Sequence, residues 1–219
     1  DLDAGDTTIG HVDSTGKAPW GYMQDVADTE AGVLFIGTTG LVTLHNRTRG
    51  YGSSAAVDVS VSAEVIDPGV RLSSGIAGVV NDITVSRPGG ATVRVVDSVS
   101  VSTYGVLGEA IDTIGDSDLD ALNRANWELA TRSTPVVKLP ELTLDGLTEP
   151  ASAADVRALD IGSRIEVTDL PAQAPESIAD LRVQGYTERI GAGGWTVTAN
   201  TTPYLAVTSL ILDDPVRGL

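Results

Sequence analysis

Three aspartates at alternate positions, Asp116, Asp118 and Asp120, have the spacing with which a calcium-binding EF-hand loop begins. The rest of that loop does not follow. Its sixth position is Ala121 where a glycine is needed, and its twelfth is Trp127 where a bidentate glutamate is needed. Acidic side chains are also favoured in the first turn of a helix, where the helix dipole is positive. We therefore predict a helix N-terminus here rather than a cation site.

A second acidic group, Asp1, Asp3 and Asp6, lies in a glycine-rich opening segment that belongs to no metal-binding motif. The only two histidines, His11 and His45, stand outside any H-E-x-x-H pattern. We predict that both histidines are surface or sheet-edge residues. No metal ligand is predicted anywhere in the chain.

Motifs for nucleophilic catalysis and for phosphate binding are missing. The chain has no cysteine, no G-x-S-x-G elbow and no P-loop, and Gly191, Gly193 and Gly194 are better explained as a hairpin turn than as a dinucleotide-binding loop. A pair of glycosidase carboxylates distant in sequence stays open, because such residues need not be adjacent in the chain. The prediction is a protein without catalytic or cofactor-binding residues, and not an enzyme.

The three tryptophans, Trp20, Trp127 and Trp195, could form a platform for sugar rings, but large aromatic residues more often anchor a core. Trp20 lies on the apolar side of a predicted helix, so we assign it to the core. Two segments beginning at Asn46 and Asn200 fit the glycosylation sequon, although threonine is so abundant that chance matches are expected.

Composition narrows the choice of partners. The chain has 219 residues and a formal net charge of -16, with an isoelectric point near 4.2. Binding to nucleic acid depends on clustered lysine and arginine, so we expect none. No apolar run approaches the roughly 20 residues of a membrane span, so we expect no stable membrane insertion. Because the first residue is Asp1, we expect a piece of a longer protein.

Two helices are predicted from local signals. Apolar residues recur at helical spacing between Lys17 and Ala31, where Pro19 suits a first turn and Gly32 a helix end. The second helix runs from 117 to 132, with an acidic first turn and one apolar side formed by Leu119, Leu122, Ala125 and Leu129.

Strand patterns occupy most of the remainder. Trp195, Val197 and Ala199 fall on one face of the segment IGAGGWTVTANTTP, which we predict to be the second arm of a hairpin with that face buried. The other predicted segments are a hairpin of 33–36 with 41–45, an alternating strand in 53–65, a hairpin of 79–86 with 91–96 and 99–104 as its candidate extension, an extended 135–144, a helical turn at 153–159, and strands at 164–168 and 181–190. The fold class is mainly β with two short helices, α+β.

The order of these segments resembles a known family. The stretch KAPWGYMQDVADTEAGVLFIGTTGLVTLHNR, followed by VNDITVSR, LDIGSRIEVTDLP, DLRVQGYTERI and GWTVTANTTP, resembles the tail-hub or minor tail proteins of long-tailed, siphovirus-like bacteriophages. These are similar to the baseplate hub of contractile tails. The closing LDDPVRGL resembles the family's last segment, cut short.

The resemblance implies a virion structural protein at the tail tip. It implies a homotrimer with a β-barrel hub domain that closes the tail tube. Its expected partners are distal tail or tail tube proteins, the tape measure protein, and tail fibre or spike proteins. No catalytic residue follows from the resemblance, because the matching motifs are strands and turns. A β-sandwich carbohydrate-binding module for cell-wall or receptor glycans stays open as the alternative.

The expected domain organisation is consecutive along the chain. It consists of residues 1–16 as a linker or the end of a preceding domain, 17–62 as a helix plus β-hairpin subdomain, 63–205 as the β-barrel hub domain with the inserted helix 117–132, and 206–219 as a C-terminal segment.

Overall fold

The computed structural model describes most of the chain between residues 2 and 204. The described residues are 2–11, 13, 15–49, 57–60, 72–73, 75–147, 150–170, 172, 174 and 177–204. Within them lie four helices and ten strands, in the order α1 Pro19–Glu30, β1 Val33–Ile36, β2 Val42–His45, β3 Val57–Ser60, β4 Asp82–Ser86, β5 Val93–Val96, α2 Ser98–Tyr104, β6 Gly108–Asp112, α3 Asp118–Arg132, β7 Glu141–Asp145, α4 Pro150–Ala158, β8 Arg164–Thr168, β9 Ala179–Gly191 and β10 Gly194–Pro203.

The chain forms two compact units, each assembled from two separate stretches. The first unit contains Asp1–Arg49 and Ile76–Pro135, and the second contains Gly50–Gly75 and Val136–Leu219. The predicted helix–hairpin subdomain therefore shares a unit with residues that we had assigned to the barrel-like domain. The predicted strand in 53–65 is described only from Val57 to Ser60, and the predicted segment 206–219 lies outside the described residues.

In the first unit, α1 leads directly into the predicted hairpin of β1 and β2, in which Val33 pairs with His45. The helix ends where Ala31 adopts the left-handed conformation with φ 53°, and the Gly32 N–H returns to the Ala27 carbonyl at 2.8 Å. Gly32 is needed at this position, because a Cβ there would lie 2.5 Å from the His45 carbonyl oxygen.

The first unit also contains a three-stranded sheet in the order β5-β4-β6, with β4 and β6 parallel. Helix α3 packs on one face of it, placing Ala121, Ala125 and Leu129 against Ile83 and Val85. The predicted hairpin of β4 with β5 and the predicted helix at 117–132 are both confirmed.

The apolar side predicted for α3 is partly wrong. Leu119 is 62% exposed and Leu122 is 37% exposed, whereas Ala121 and Ala125 are buried. Alanines allow the helix to approach the sheet closely, so the small side chains face the core and the two large ones face outward.

Three further predictions for this unit are corrected. The proposed strand at 99–104 is part of helix α2, which Asp97 caps by accepting hydrogen bonds from the Val99 and Ser100 N–H groups at 3.0 Å. Trp20 is 38% exposed rather than in the core. His45 is buried rather than a surface residue, because its ring packs edge-on against Phe35 in the neighbouring strand.

The second unit is built on a five-stranded sheet in the order β3-β8-β9-β10-β7, which curls into a half barrel. Strands β3 and β8 are parallel, and the other pairs are antiparallel. Helix α4 contacts β3 and β7, the two outer strands of the sheet. The predicted burial of Trp195, Val197 and Ala199 is confirmed. The predicted fold class, mainly β with helices (α+β), is therefore confirmed.

Candidate assembly surface

Strand β9 continues well past the strand that pairs with it on one side. Its residues Ala179 to Arg182 pair with β8, and Val183 still exchanges backbone hydrogen bonds with Gly162 and Ser163. From 184 to 191 the strand pairs with β10 alone within the described part of the chain. We call residues 184–191 the free edge.

A β-bulge marks the place where the free edge begins. Asn200 of β10 pairs with Gly185 while the next residue, Thr201, pairs with Val183, so Gln184 is an additional residue in β9. A bulge bends a strand and increases its twist, and this one lies just beyond Arg182, the last residue of β9 in register with β8.

Trp195 fixes the hairpin near its tip, where it pairs with Ile190. The indole N–H donates to Glu188 Oε1 at 2.6 Å, and the Arg157 guanidinium lies 5.2 Å from the centre of the indole ring. Gly146 donates its N–H to the Trp195 carbonyl at 2.9 Å. Side chain and backbone therefore both attach the hairpin to the sheet close to its tip, and β10 is paired with β7 from Thr196 to Asn200.

The chemistry of the free edge suits protein contacts. Side chains from Thr187 onward are exposed, and Ile190 at the tip is 76% exposed. Burial, with a smaller effect of Asp160 and Glu188, raises the pKa of Tyr186, so its hydroxyl keeps its proton and can donate. An unpaired edge with an apolar side chain is a template on which another strand can pair.

Three of the aspartates in the two acidic groups have other partners. Ser117 and Asp120 form a capping box, and Asp118 accepts from Arg87 Nε at 2.6 Å, so the predicted helix N-terminus is confirmed. Asp3 pairs with Arg49 at 2.5 Å. Among the residues that the structure describes, no three histidine or acidic side chains come together in a way that could hold a metal ion.

The three tryptophans are divided between the two units. Trp195 is 9% exposed, and Trp127 is half-buried with the Arg124 guanidinium 5.4 Å from its ring centre. Trp20 belongs to the first unit, as Trp127 does, whereas Trp195 belongs to the second. Trp195, at 9% exposed, leaves little of its ring surface available to a sugar.

A polar cleft of about 480 Å³ lies in the first unit. The two basic side chains that line it both form ion pairs, Lys17 with Asp25 and Arg87 with Asp118. None of the described helices is long and apolar enough to span a membrane.

Sequence reasoning located the hairpin but missed the free edge. The feature that could have revealed the free edge is strand length. Strands β9 and β10 contain 13 and 10 residues, whereas β7 and β8 contain five each. Strands so much longer than their neighbours must leave an unpaired edge.

Solved structures with a similar fold include two tail proteins and a chain of a virion. The 43 kDa tail protein of prophage MuSo2 from Shewanella oneidensis matches 86% of this chain over 55% of its own, with 17% identity and a TM-score of 0.56. A tail protein from Neisseria meningitidis MC58 matches 88% of this chain over 57% of its own, with 11% identity and a TM-score of 0.59. A chain in the virion of a native gene transfer agent particle matches 88% over 40% of its own, with 14% identity and a TM-score of 0.52.

The chain thus spans about half the length of the two tail proteins. Comparison with protein-family models and with curated protein sequences found no match. The similarity in structure shows that this chain has the fold of these tail proteins.

Proposed function

We propose that this chain, with its bacteriophage tail-protein fold, is a structural component of a phage tail tip. It would form the tail-hub ring that closes the tail tube and connects it to fibre, spike or cell-wall-degrading proteins. The observation that carries the proposal is the similarity of fold to two tail proteins over 86% and 88% of the chain. A role in assembly, rather than catalysis, accounts for the free edge.

The ring is proposed to be a homotrimer. Three copies related by a closed rotation would give each free edge a partner strand or a covering surface in the next subunit. Ile190 at the hairpin tip, which is 76% exposed, would then be buried between subunits and withdrawn from water.

Contacts with other tail proteins are proposed at the two ends of the ring. Distal tail or tail tube proteins and the tape measure protein would lie on one side, and a fibre or spike on the other. The similarity to a chain from a complete gene transfer agent virion supports such a place within a particle.

The charge of -16 is consistent with a position around the path of the genome. An acidic inner surface would let DNA pass without binding to it. Asp and Glu should therefore outnumber Lys and Arg on the surface that faces the channel.

The direct test is a cryo-EM reconstruction of the particle, combined with native mass spectrometry of the full-length protein. A three-fold ring at the tail tip, and a mass of three subunits in solution, are the expected results. A monomer whose free edge is exposed to solvent in the particle, or a closed two-fold dimer, would contradict the tail-hub proposal.

A further inference from the structure

Strand β2 has the reverse of the polarity expected for a sheet with one face in water. Its buried residues are polar, with Thr43 and His45 each 7% exposed, whereas the aliphatic Val42 and Leu44 beside them are only half-buried. A sheet that stays partly in water normally turns its polar side chains outward. The outward face of the β1–β2 hairpin is therefore suited to burial against a partner.

The aliphatic side chains on this outward face are contiguous. Leu34 lies opposite Leu44, and Ile36 lies opposite Val42, so the four side chains share one face. Leu2 adds a fifth through its parallel bridge with Leu44. We call these five residues the aliphatic face, in which Leu2 is 68% exposed and Ile36 is 63% exposed. Single exposed apolar residues are normal, but a contiguous group of them indicates a contact surface.

Strand β1 also has an unpaired backbone edge. Among the described residues it pairs with β2 alone, in a two-stranded sheet. All four of its residues, Val33–Ile36, are apolar. An apolar strand with one edge unpaired offers backbone hydrogen bonds to a further strand. The hairpin can therefore be extended by a strand from a partner.

Charge indicates the kind of partner that fits this hairpin. The segment 31–46 contains no Asp, Glu, Lys or Arg, in a chain whose formal net charge is -16. A basic partner is recognised through carboxylates, which this segment lacks. Two copies of an acidic chain repel each other unless they meet where charge is absent or balanced. A second copy of this chain is therefore the partner that the hairpin suits.

A closed ring of three also needs two different surfaces on every subunit, because a surface that contacts its own copy gives a closed pair instead. The free edge, residues 184–191, provides one of them. It contains one acid and one base, Glu188 and Arg189, so its formal charge is balanced. The hairpin of β1 with β2, in the other unit, provides a second surface that carries no charge.

We propose that β1 of one subunit pairs with the free edge of β9 in the next subunit. This inference rests on the proposed trimeric ring, and it identifies the strand that covers each free edge. Tyr186 and Ile190 lie on the same face of their sheet as the buried Trp195. A register that matches apolar residues places the aliphatic face beside these two side chains. The aliphatic face then continues the apolar face of the neighbour's sheet, and Ile36 and Ile190 are withdrawn from water.

Cross-linking tests the contact directly, because the chain contains no cysteine of its own. Ile36→Cys combined with Ile190→Cys places one thiol on each surface of every subunit. A short bismaleimide reagent spans an offset of two residues along a strand, roughly 7 Å, so this pair reports either strand direction. Covalent dimers and trimers on a denaturing gel are the expected result. Leu119→Cys combined with Ile190→Cys should give none, although Leu119 is 62% exposed.

Loss of association provides the complementary test. Ile36→Asp places a charge on the aliphatic face and should weaken trimer formation at least about tenfold, measured by sedimentation velocity over a range of concentrations. Leu119→Asp is the matched control, because Leu119 is equally exposed in the same unit but lies on α3. The urea midpoint of Ile36→Asp should stay close to that of the wild type, since a side chain that is 63% exposed contributes little to the core.

The results separate this inference from the proposed function. A trimer that does not cross-link through the pair, or that Ile36→Asp weakens no more than Leu119→Asp does, overturns the inference and leaves the ring in place. Cross-linking of Ile36→Cys alone into dimers also overturns it, because the hairpin then contacts its own copy. A tail particle in which a different protein covers the aliphatic face overturns it as well. A chain that stays monomeric at every concentration overturns both the inference and the trimeric ring.

Discussion

The packing of the Trp195 ring requires a neighbour without a side chain, Gly146. A Cβ added to Gly146 would lie 2.1 Å from Trp195 Cε3, far inside the contact distance of two carbons. We expect Gly146→Ala to destabilise the second unit by about 1–3 kcal/mol, the usual cost of overpacking a core. Urea titration measures this directly. Gly193→Ala is the matched control, because a Cβ at Gly193 meets nothing within 4 Å, and its midpoint should be nearly that of the wild type.

The ion pair of Asp82 with Arg94 makes the stability of the first unit depend on pH, and the lowered pKa of Asp82 sets the direction of that dependence. Two hydrogen bonds from Arg94, at 2.7 and 2.6 Å, hold the pKa of Asp82 below its ordinary value of 3.8. A folded-state pKa that is lowered adds stability above the unfolded pKa, and this stability is lost as the pH falls through the folded pKa.

Asp82→Asn should therefore be less stable than the wild type at neutral pH, and the gap should close below about pH 3.8. Urea midpoints measured from neutral pH down to about pH 2 test this expectation. Arg94→Gln should show the same trend, because it removes the other partner of the same pair. A gap that stays constant over the whole range would disprove the linkage.

The burial of an individual residue could be predicted only where a local sequence pattern determines it. Alternation along β10 identified Trp195, Val197 and Ala199 correctly, because a strand has only two faces. Trp20 and His45 were misplaced, since their burial depends on which distant element covers them. The alternation along β2 did not reveal that its polar side, Thr43 and His45, is the buried one, because alternation separates two faces without showing which of them is covered.

At the scale of elements, α3 offers a matched pair of substitutions. Leu129 is 8% exposed and packs against the sheet, whereas Leu122 is 37% exposed. Leu129→Ala should cost about 2–5 kcal/mol through lost burial and the cavity left behind. Leu122→Ala should change the free energy of unfolding by less than about 0.5 kcal/mol. Equal losses in denaturant titration would mean that the helix is rotated from the orientation described.

Elements with strong local signals were predicted, and those that depend on distant partners were not. Turn glycines between alternating segments located the hairpins of β1 with β2, β4 with β5 and β9 with β10. Helix α2 was not predicted, because the alternation of valine and serine in its sequence favours a strand. The N-cap at Asp97 makes the segment helical instead. Strand β6 was not predicted, because it is stabilised by parallel pairing with β4, which lies elsewhere in the chain.

For the whole molecule, the free edge makes self-association testable by one substitution. Ile190→Asp places a charge at the exposed tip of the hairpin and should shift the proposed trimer towards monomer, leaving the unfolding midpoint nearly unchanged. Ile178→Asp is the control, because Ile178 is 44% exposed but precedes β9. Sedimentation velocity reports both masses. If the two variants dissociate alike, or if neither does, the free edge is not the contact surface.

The division of each unit into two stretches has a consequence for synthesis on the ribosome. Strand β3 leaves the ribosome early, but its parallel partner β8 follows only after the whole of residues 76–135. The five-stranded sheet therefore cannot close as the chain emerges, while the first unit can be completed once α3 is made. Such late, non-local pairing is slow, and β3 remains without its partner during that delay. During that delay β3 is an unpaired strand, the kind of segment on which another chain can pair.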